Sequence, residues 1–223
     1  TMGQNAVPIS FGFKIAGWIE SLIRLDSKFK HAEASIFTLL FGGAVGAMHG
    51  FNGKGYKLTQ QLASNLGFNN SIVPNRTSIE TSINYLLALS FQGIIFGKIA
   101  NEIYILMSQS INEISEKQTK GQVGSSTMPH KVNPVIILKV IEEAAILRGK
   151  ASTTIEAGMP LHEGDLRYNK IVDNLIKDST VLSLKLSLNF NSMINNLLIN
   201  TKQMQRNLLN EKDYIASENL MYK

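Results

Sequence analysis

Apolar residues recur at helical spacing through most of the chain, and the five prolines (Pro8, Pro74, Pro129, Pro134 and Pro160) mark where that spacing must stop. A proline costs about 3 kcal/mol inside a helix, so the long proline-free stretches between them are where long helices can form. Residues 78–114 carry the clearest pattern. Ile79, Ile83, Leu86, Leu87, Phe91, Ile94, Ile95, Ile99, Ile103, Leu106 and Ile114 repeat without strand alternation, and the only interruptions are Gly93 and Gly97. This spacing predicts one long helix with a wide apolar face, with Ser78 as its cap.

The same reasoning predicts a helix over residues 10–30, where Phe13, Ala16, Gly17 and Leu22 face one way and Lys14, Glu20, Arg24 and Asp26 face others. Residues 32–48, rich in Ala, Leu, Phe and Gly, predict a second helix whose Gly42, Gly43 and Gly46 would let another helix approach closely. Residues 50–55 read as a loop, and residues 59–66 as a short helix stopped by Gly67. Residues 117–133 are polar and read as a loop. Residues 134–154 are helical again, with Asn133 as the cap and Pro134 in the first turn. After a break at Gly158, Met159 and Pro160, residues 167–200 form a last long helix through Ile171, Leu175, Ile176, Val181, Leu184, Leu188, Met193, Leu197 and Leu198. The remainder is short and polar, with a turn near residues 210–213.

The expected class is therefore all-α, a bundle of helices well above the usual ~11–12 residues. Helices with such wide apolar faces bury them against one another, often with help from other subunits. Composition agrees: 223 residues with 44% hydrophobic and 17% charged content suit a globular protein with a sizeable core. The net charge of +5 is scattered rather than clustered. No basic stripe with interleaved aromatics points to nucleic acid, and the excess is at most a weak sign of an anionic partner. The chain has no cysteine, which excludes a disulfide framework and a thiolate metal site and suits a reducing cytoplasm. No apolar run reaches bilayer length without a polar or glycine break, so no membrane is expected. The opening residues lack the basic start and apolar core of a signal peptide, and read as a loop leading into a helix, as in a chain that starts mid-protein.

The candidate chemistry lies in GQVGSSTMPHKVNP, residues 121–134. This polar, glycine-hinged segment joins two apolar helices and offers two serines, a lysine, an asparagine and the free N–H groups of a helix start, which attract anions. A serine beside a lysine and a helix dipole can serve as base or nucleophile. The same residues also suit a surface loop whose serines make turns.

The run GSSTMPHKVNP at 124–134 resembles the signature of the fumarase/aspartase superfamily, with every fixed position filled. The resemblance implies a homotetramer of long helices, active sites shared between subunits, and no cofactor or metal. It implies removal of a proton next to a carboxylate, followed by C–N or C–O cleavage, on a small anionic polycarboxylate. Ser125 carries over as the general base. Lys131 and Asn133 carry over as the residues that bind the substrate carboxylate and stabilise the aci-carboxylate intermediate, and Ser126, Thr127 and Met128 line the substrate beside them. The loop is expected to close over substrate. Thr1 to Gly12, TMGQNAVPISFG, resembles a second superfamily motif in which Thr1 and Gln4 match substrate-contacting positions. Pro74, Asn75 and Arg76 resemble its Q-R-D segment, with Arg76 kept as a substrate-binding residue. His162, Glu163, Gly164 and Asp165 resemble its H-E-R-D segment, with the arginine missing. The resemblance makes residues 1–200 a central long-helix bundle domain with its catalytic loop at 118–134, and residues 201–223 the start of a C-terminal region. Superfamily chains are about twice as long, so the family's N-terminal region and the body of its C-terminal domain are expected to be absent from this sequence.

Two departures narrow the resemblance. In adenylosuccinate lyases, argininosuccinate lyases and fumarase-like members a histidine follows the motif threonine, and a glutamate in the helix after the loop orients it. Here these positions are Met2, which cannot transfer a proton, and Leu138. The 3-carboxy-cis,cis-muconate cycloisomerases also lack that histidine, so this branch is the closest resemblance. The adenylosuccinate lyase branch, which releases fumarate and shares the SSTMPHKVNP form of the loop, is the alternative. A non-catalytic structural or binding member of the fold is a third. Other polar residues get plainer assignments. His31 and His49 sit at expected helix ends, His130 takes no chemistry, and His162, Glu163 and Asp165 are too closely spaced to make a tetrahedral metal set. Trp18 is expected in the core or at a subunit interface.

Overall fold

The computed structural model describes residues 6–117, 128, 133–163 and 166–211. Six α-helices are present among them: α1 (Phe11–Ile36), α2 (Gly55–Leu66), α3 (Glu80–Leu106), α4 (Val135–Ala157), α5 (Leu166–Asn195) and α6 (Thr201–Asn210). A 3-10 turn at His49–Phe51 and four short strands complete the order. The strands are β1 (Thr38–Leu39), β2 (Asn69–Asn70), β3 (Ile114–Glu116) and β4 (Leu197–Ile199). The helical class read from the sequence is what the fold shows. Gly67 ends α2 as expected, in the left-handed region at φ 68°, with its N–H on the carbonyls of Ala63 and Ser64.

Four expectations are corrected. Residues 32–48 do not form a second helix. Instead α1 runs on to Ile36, and the chain then makes β1 and a loop in which Gly43 and Gly46 sit at φ 84° and 80°. The apolar composition there resembles a helix, but each glycine costs about 1 kcal/mol in a helix interior, and here the glycines are used for left-handed turns. The long helix expected over 78–114 stops at Leu106. Asn112 reverses the chain at φ 52° with its N–H on the Ser108 carbonyl, and Ile114 is buried in β3. The last long helix stops at Asn195, and Leu197 and Leu198 lie in β4. Residues 201–210, read only as part of a short polar remainder, form α6, where the Asn200 side chain accepts the Gln203 N–H at 3.2 Å as an N-cap. On α1 the expected apolar face also shifts: Phe13 is 70% exposed while Leu25 and Ala32 are buried.

The chain divides into two compact units. The first comprises Thr1–Leu22, Ile95–Glu142 and Leu186–Lys223. Its core is apolar: Ile99, Ile103, Ile137, Val140, Leu186 and Met193 are almost fully buried. Phe96 and Phe190 stack at 3.9 Å between ring centres and so fix α3 to α5. Lys14 of α1 pairs with Glu102 of α3. β3 and β4 pair antiparallel, with Ile114 opposite Ile199 and Glu116 opposite Leu197. On α6, the Asn207 amide donates to the Ile111 carbonyl and to Glu113, both at 2.9 Å.

The second unit comprises Ile23–Ile94 and Glu143–Lys185. Leu86, Leu89, Ala144, Leu147 and Val172 form its apolar core, and several buried polar groups sit among them. Gln92 of α3 exchanges hydrogen bonds with Ser183 of α5. Glu143 of α4 is buried and meets Lys185 of α5 at 3.2 Å. Gly93 makes a close helix contact possible: an added Cβ would lie 2.8 Å from the Ala144 carbonyl, and the Gly93 carbonyl accepts the Arg148 guanidinium at 2.8 Å. β1 and β2 pair in parallel, with Phe37 stacked on Phe68. By length and composition α3 could cross a bilayer, but half of its most apolar window is buried and it carries Gln92, the mark of a core helix.

Candidate active site

The signature segment is built on two anchored stems in the first unit. The first is β3, whose ladder with β4 extends by one more bond, from the Lys117 N–H to the Asn196 carbonyl at 2.8 Å. The second is the start of α4. Helix starts leave backbone N–H groups without intrahelical partners, and these are normally met by the side chain of the cap residue. The sequence placed that cap at Asn133. In the structure the helix begins at Val135, and it is the Pro134 carbonyl that accepts the Leu138 N–H, at 3.2 Å. Pro134 has no side-chain oxygen to offer. The N–H of Ile137, third residue of the helix, is taken instead by the Glu116 carboxylate at 2.8 Å.

One of the free N–H groups expected at the helix start is therefore already taken. The positive end of α4 already faces an internal carboxylate, and Glu116 is buried. A substrate anion near this helix would therefore depend on side chains rather than on the Ile137 N–H. Nothing in the local sequence marks Glu116, because it is separated from its partner by 21 residues and lies just outside the polar signature run. Beside the stems is a cavity of about 380 Å³, lined by Met107, Asn112, Ile114, Glu116, Pro134 and Leu198 among others.

Asn133 is half-buried immediately before the α4 stem, and Met128 is 43% exposed. Thr1, Gln4, Ser125, Ser126, Thr127 and Lys131 lie outside the described residues, as does Met2. Leu138 is on α4 with its side chain 44% exposed. Arg76 belongs to the second unit. It is exposed, and its guanidinium donates to the Ala44 carbonyl at 3.0 Å. Asn75 shapes the turn beside it, because its side-chain oxygen accepts both the N–H and the hydroxyl of Thr77. His162, in the left-handed region at φ 56°, and Glu163 are exposed, and Asp165 is outside the described residues. His31 lies inside α1 rather than at a helix end. A larger cavity of about 870 Å³ in the first unit is lined by residues 6–11 together with Lys14, Ile111, Met204 and Leu208 among others. Those first residues belong to the Thr1 to Gly12 motif.

A bundle of long helices, with this signature joining a strand stem to a helix stem, defines a class of helical lyases. The chain belongs to the Lyase family, whose model matches residues 1–148, and so to the fumarase/aspartase superfamily. It is 30% identical to the N-acetyl-S-(2-succino)cysteine lyase of Enterococcus italicus, over 100% of this chain and 49% of that protein. It is 27% identical to the adenylosuccinate lyase of Deinococcus radiodurans, over 100% of this chain and 51% of that protein. Among solved structures it resembles the 3-carboxy-cis,cis-muconate lactonizing enzyme from Pseudomonas putida, with TM-score 0.84 and 26% identity over 93% of this chain and 46% of that one. The chain spans about half the length of the relatives it matches.

Proposed function

We propose that the protein acts on a small polycarboxylate by general-base elimination or its reverse. Ser125 takes the proton from the carbon next to a carboxylate. The electrons of that C–H bond pass first into the carboxylate, as an aci-carboxylate, and then into a new double bond as C–O or C–N breaks at the neighbouring carbon. Lys131 and Asn133 hold the oxygens on which charge collects, which is where stabilisation lowers the barrier most. Thr1, Gln4, Arg76, Ser126, Thr127 and Met128 contact the rest of the substrate. The carrying observation is the uninterrupted GSSTMPHKVNP run within a chain whose family match covers it. We also propose a homotetramer with sites shared between subunits, in keeping with the long apolar faces of these helices.

For the substrate we favour a 3-carboxymuconate, on the joint loss of the histidine and glutamate positions at Met2 and Leu138. A second reading is a lyase of succinyl compounds that releases fumarate. It is favoured by matches along the whole of this chain to two lyases whose names carry a succino or succinate group. The test offers the whole protein 3-carboxymuconate, adenylosuccinate and N-acetyl-S-(2-succino)cysteine side by side, following loss of conjugated absorbance and release of fumarate. Turnover of the muconate alone supports the first reading, and fumarate from either succinyl compound supports the second. No turnover of any of them points to the non-catalytic member of the fold. In an active protein, Ser125→Ala is expected to abolish turnover with the oligomer unchanged. Retained activity would remove Ser125 from its role as base.

A further inference from the structure

Glu116 is an unusual residue to find at 9% exposure, since a carboxylate is costly to bury unless it gains a partner. A leucine would fill the same space without that cost. What the carboxylate gains is the Ile137 N–H at 2.8 Å. Pro134, at the cap position, cannot satisfy that donor, so the acceptor comes from β3. The bond ties together the last residue of the strand stem and the first turn of the helix stem. On its other side the strand stem is held by the Lys117 N–H on the Asn196 carbonyl. Asn133 sits immediately before Pro134, so its backbone position follows the position of this first turn. Ile137 and Val140 are fully buried, which gives the turn a fixed floor.

The geometry points to Glu116 as a positioning residue that acts through Asn133. It does not touch substrate. It sets the separation of the two stems and hence the place from which Asn133 reaches the reacting carboxylate. This rests on the lyase reading above, and it adds a residue whose role in that reading would be to fix geometry. Truncation to alanine would leave the Ile137 N–H unmet and widen the 380 Å³ cavity that Glu116 helps to line. A shift of about 1 Å in a substrate-positioning group can cost on the order of a hundredfold in rate.

The test uses the whole protein with Glu116→Ala, Glu116→Gln and Glu116→Asp, each assayed well below its own melting midpoint so that lost stability does not enter the rate. Glutamine keeps the acceptor oxygen. With the turned-over substrate, E116A is expected to lower kcat by at least about tenfold with a smaller change in KM, while E116Q recovers most of it. Hydrogen exchange of amides 133–138 should speed up in E116A and stay near wild type in E116Q. Normal kcat in E116A, or unchanged exchange at the Ile137 amide, overturns the proposal. So does an E116Q variant that is as slow as E116A while Ile137 stays protected. If E116A does not fold, E116D and E116Q carry the comparison, since the shorter side chain moves the acceptor away from Ile137. A wild-type protein that turns over none of the three substrates defeats the lyase reading, and the exchange comparison still decides whether the tie exists.

Discussion

Single residues fix this fold most visibly where the backbone leaves ordinary conformations. Gly46 sits at φ 80°, and a Cβ built on it would lie 2.2 Å from the Pro74 carbonyl oxygen. Gly43 has a similar φ of 84° but faces open space. The pair separates two effects, left-handed backbone strain alone and strain with a steric clash. Gly43→Ala is expected to cost about 1–2 kcal/mol. Gly46→Ala carries the same strain plus a forced displacement of the 74–76 turn, about 1–3 kcal/mol further. Thermal midpoints of the two variants would show the difference, and equal values would rule out the clash. Displacing that turn would also disturb Arg76, which hydrogen-bonds to Ala44 in the same loop. The sequence identified Gly42, Gly43 and Gly46 as places of close approach but assigned them to a helix. A glycine's need for positive φ is invisible in a run that also contains Ala, Leu and Phe. Arg76 and Asn133 were legible as site candidates because they belong to short motifs. Glu116 was not, because its partner is distant in sequence.

The long helices were legible in their bodies more than in their ends. Local periodicity marks the bodies of α1, α3, α4 and α5, because each turn of an amphipathic helix repeats the same signal. It does not mark where a helix gives way to a strand whose partner is far along the chain. Ile114 continues the apolar period of α3, yet it pairs with Ile199. Leu197 and Leu198 continue the period of α5, yet they belong to the same ladder. Pairing these two segments joins the ends of the two longest helices among the described residues and at the same time builds one stem of the signature segment. The contact between α3 and α5 gives a direct measure of helix packing. Phe190 is 8% exposed and stacks on Phe96, so Phe190→Ala is expected to cost about 3–5 kcal/mol, read from denaturant unfolding. A loss below about 1 kcal/mol would mean that the stack contributes little.

On the scale of the whole molecule, large apolar side chains remain exposed. Along α5, Val181, Leu184 and Leu188 are 70%, 62% and 64% exposed and fall three and four residues apart, on one face of the helix. Such a stripe suits burial against other copies in the proposed homotetramer. Leu184→Glu together with Leu188→Glu is expected to convert the assembly of the whole protein to smaller species in sedimentation velocity, with loss of activity if sites are shared. An unchanged sedimentation coefficient would place the subunit contacts elsewhere. By itself the sequence determined the helical class, the superfamily and the signature residues, because these are written in local periodicity and in a contiguous motif. Only the tertiary structure decided where α3 and α5 end, that residues 37–48 are a short strand and a glycine-turned loop, and that the start of α4 is met by Glu116. Each of these depends on a partner brought close by folding, and no local pattern can record a hydrogen bond to a residue that is near only in space.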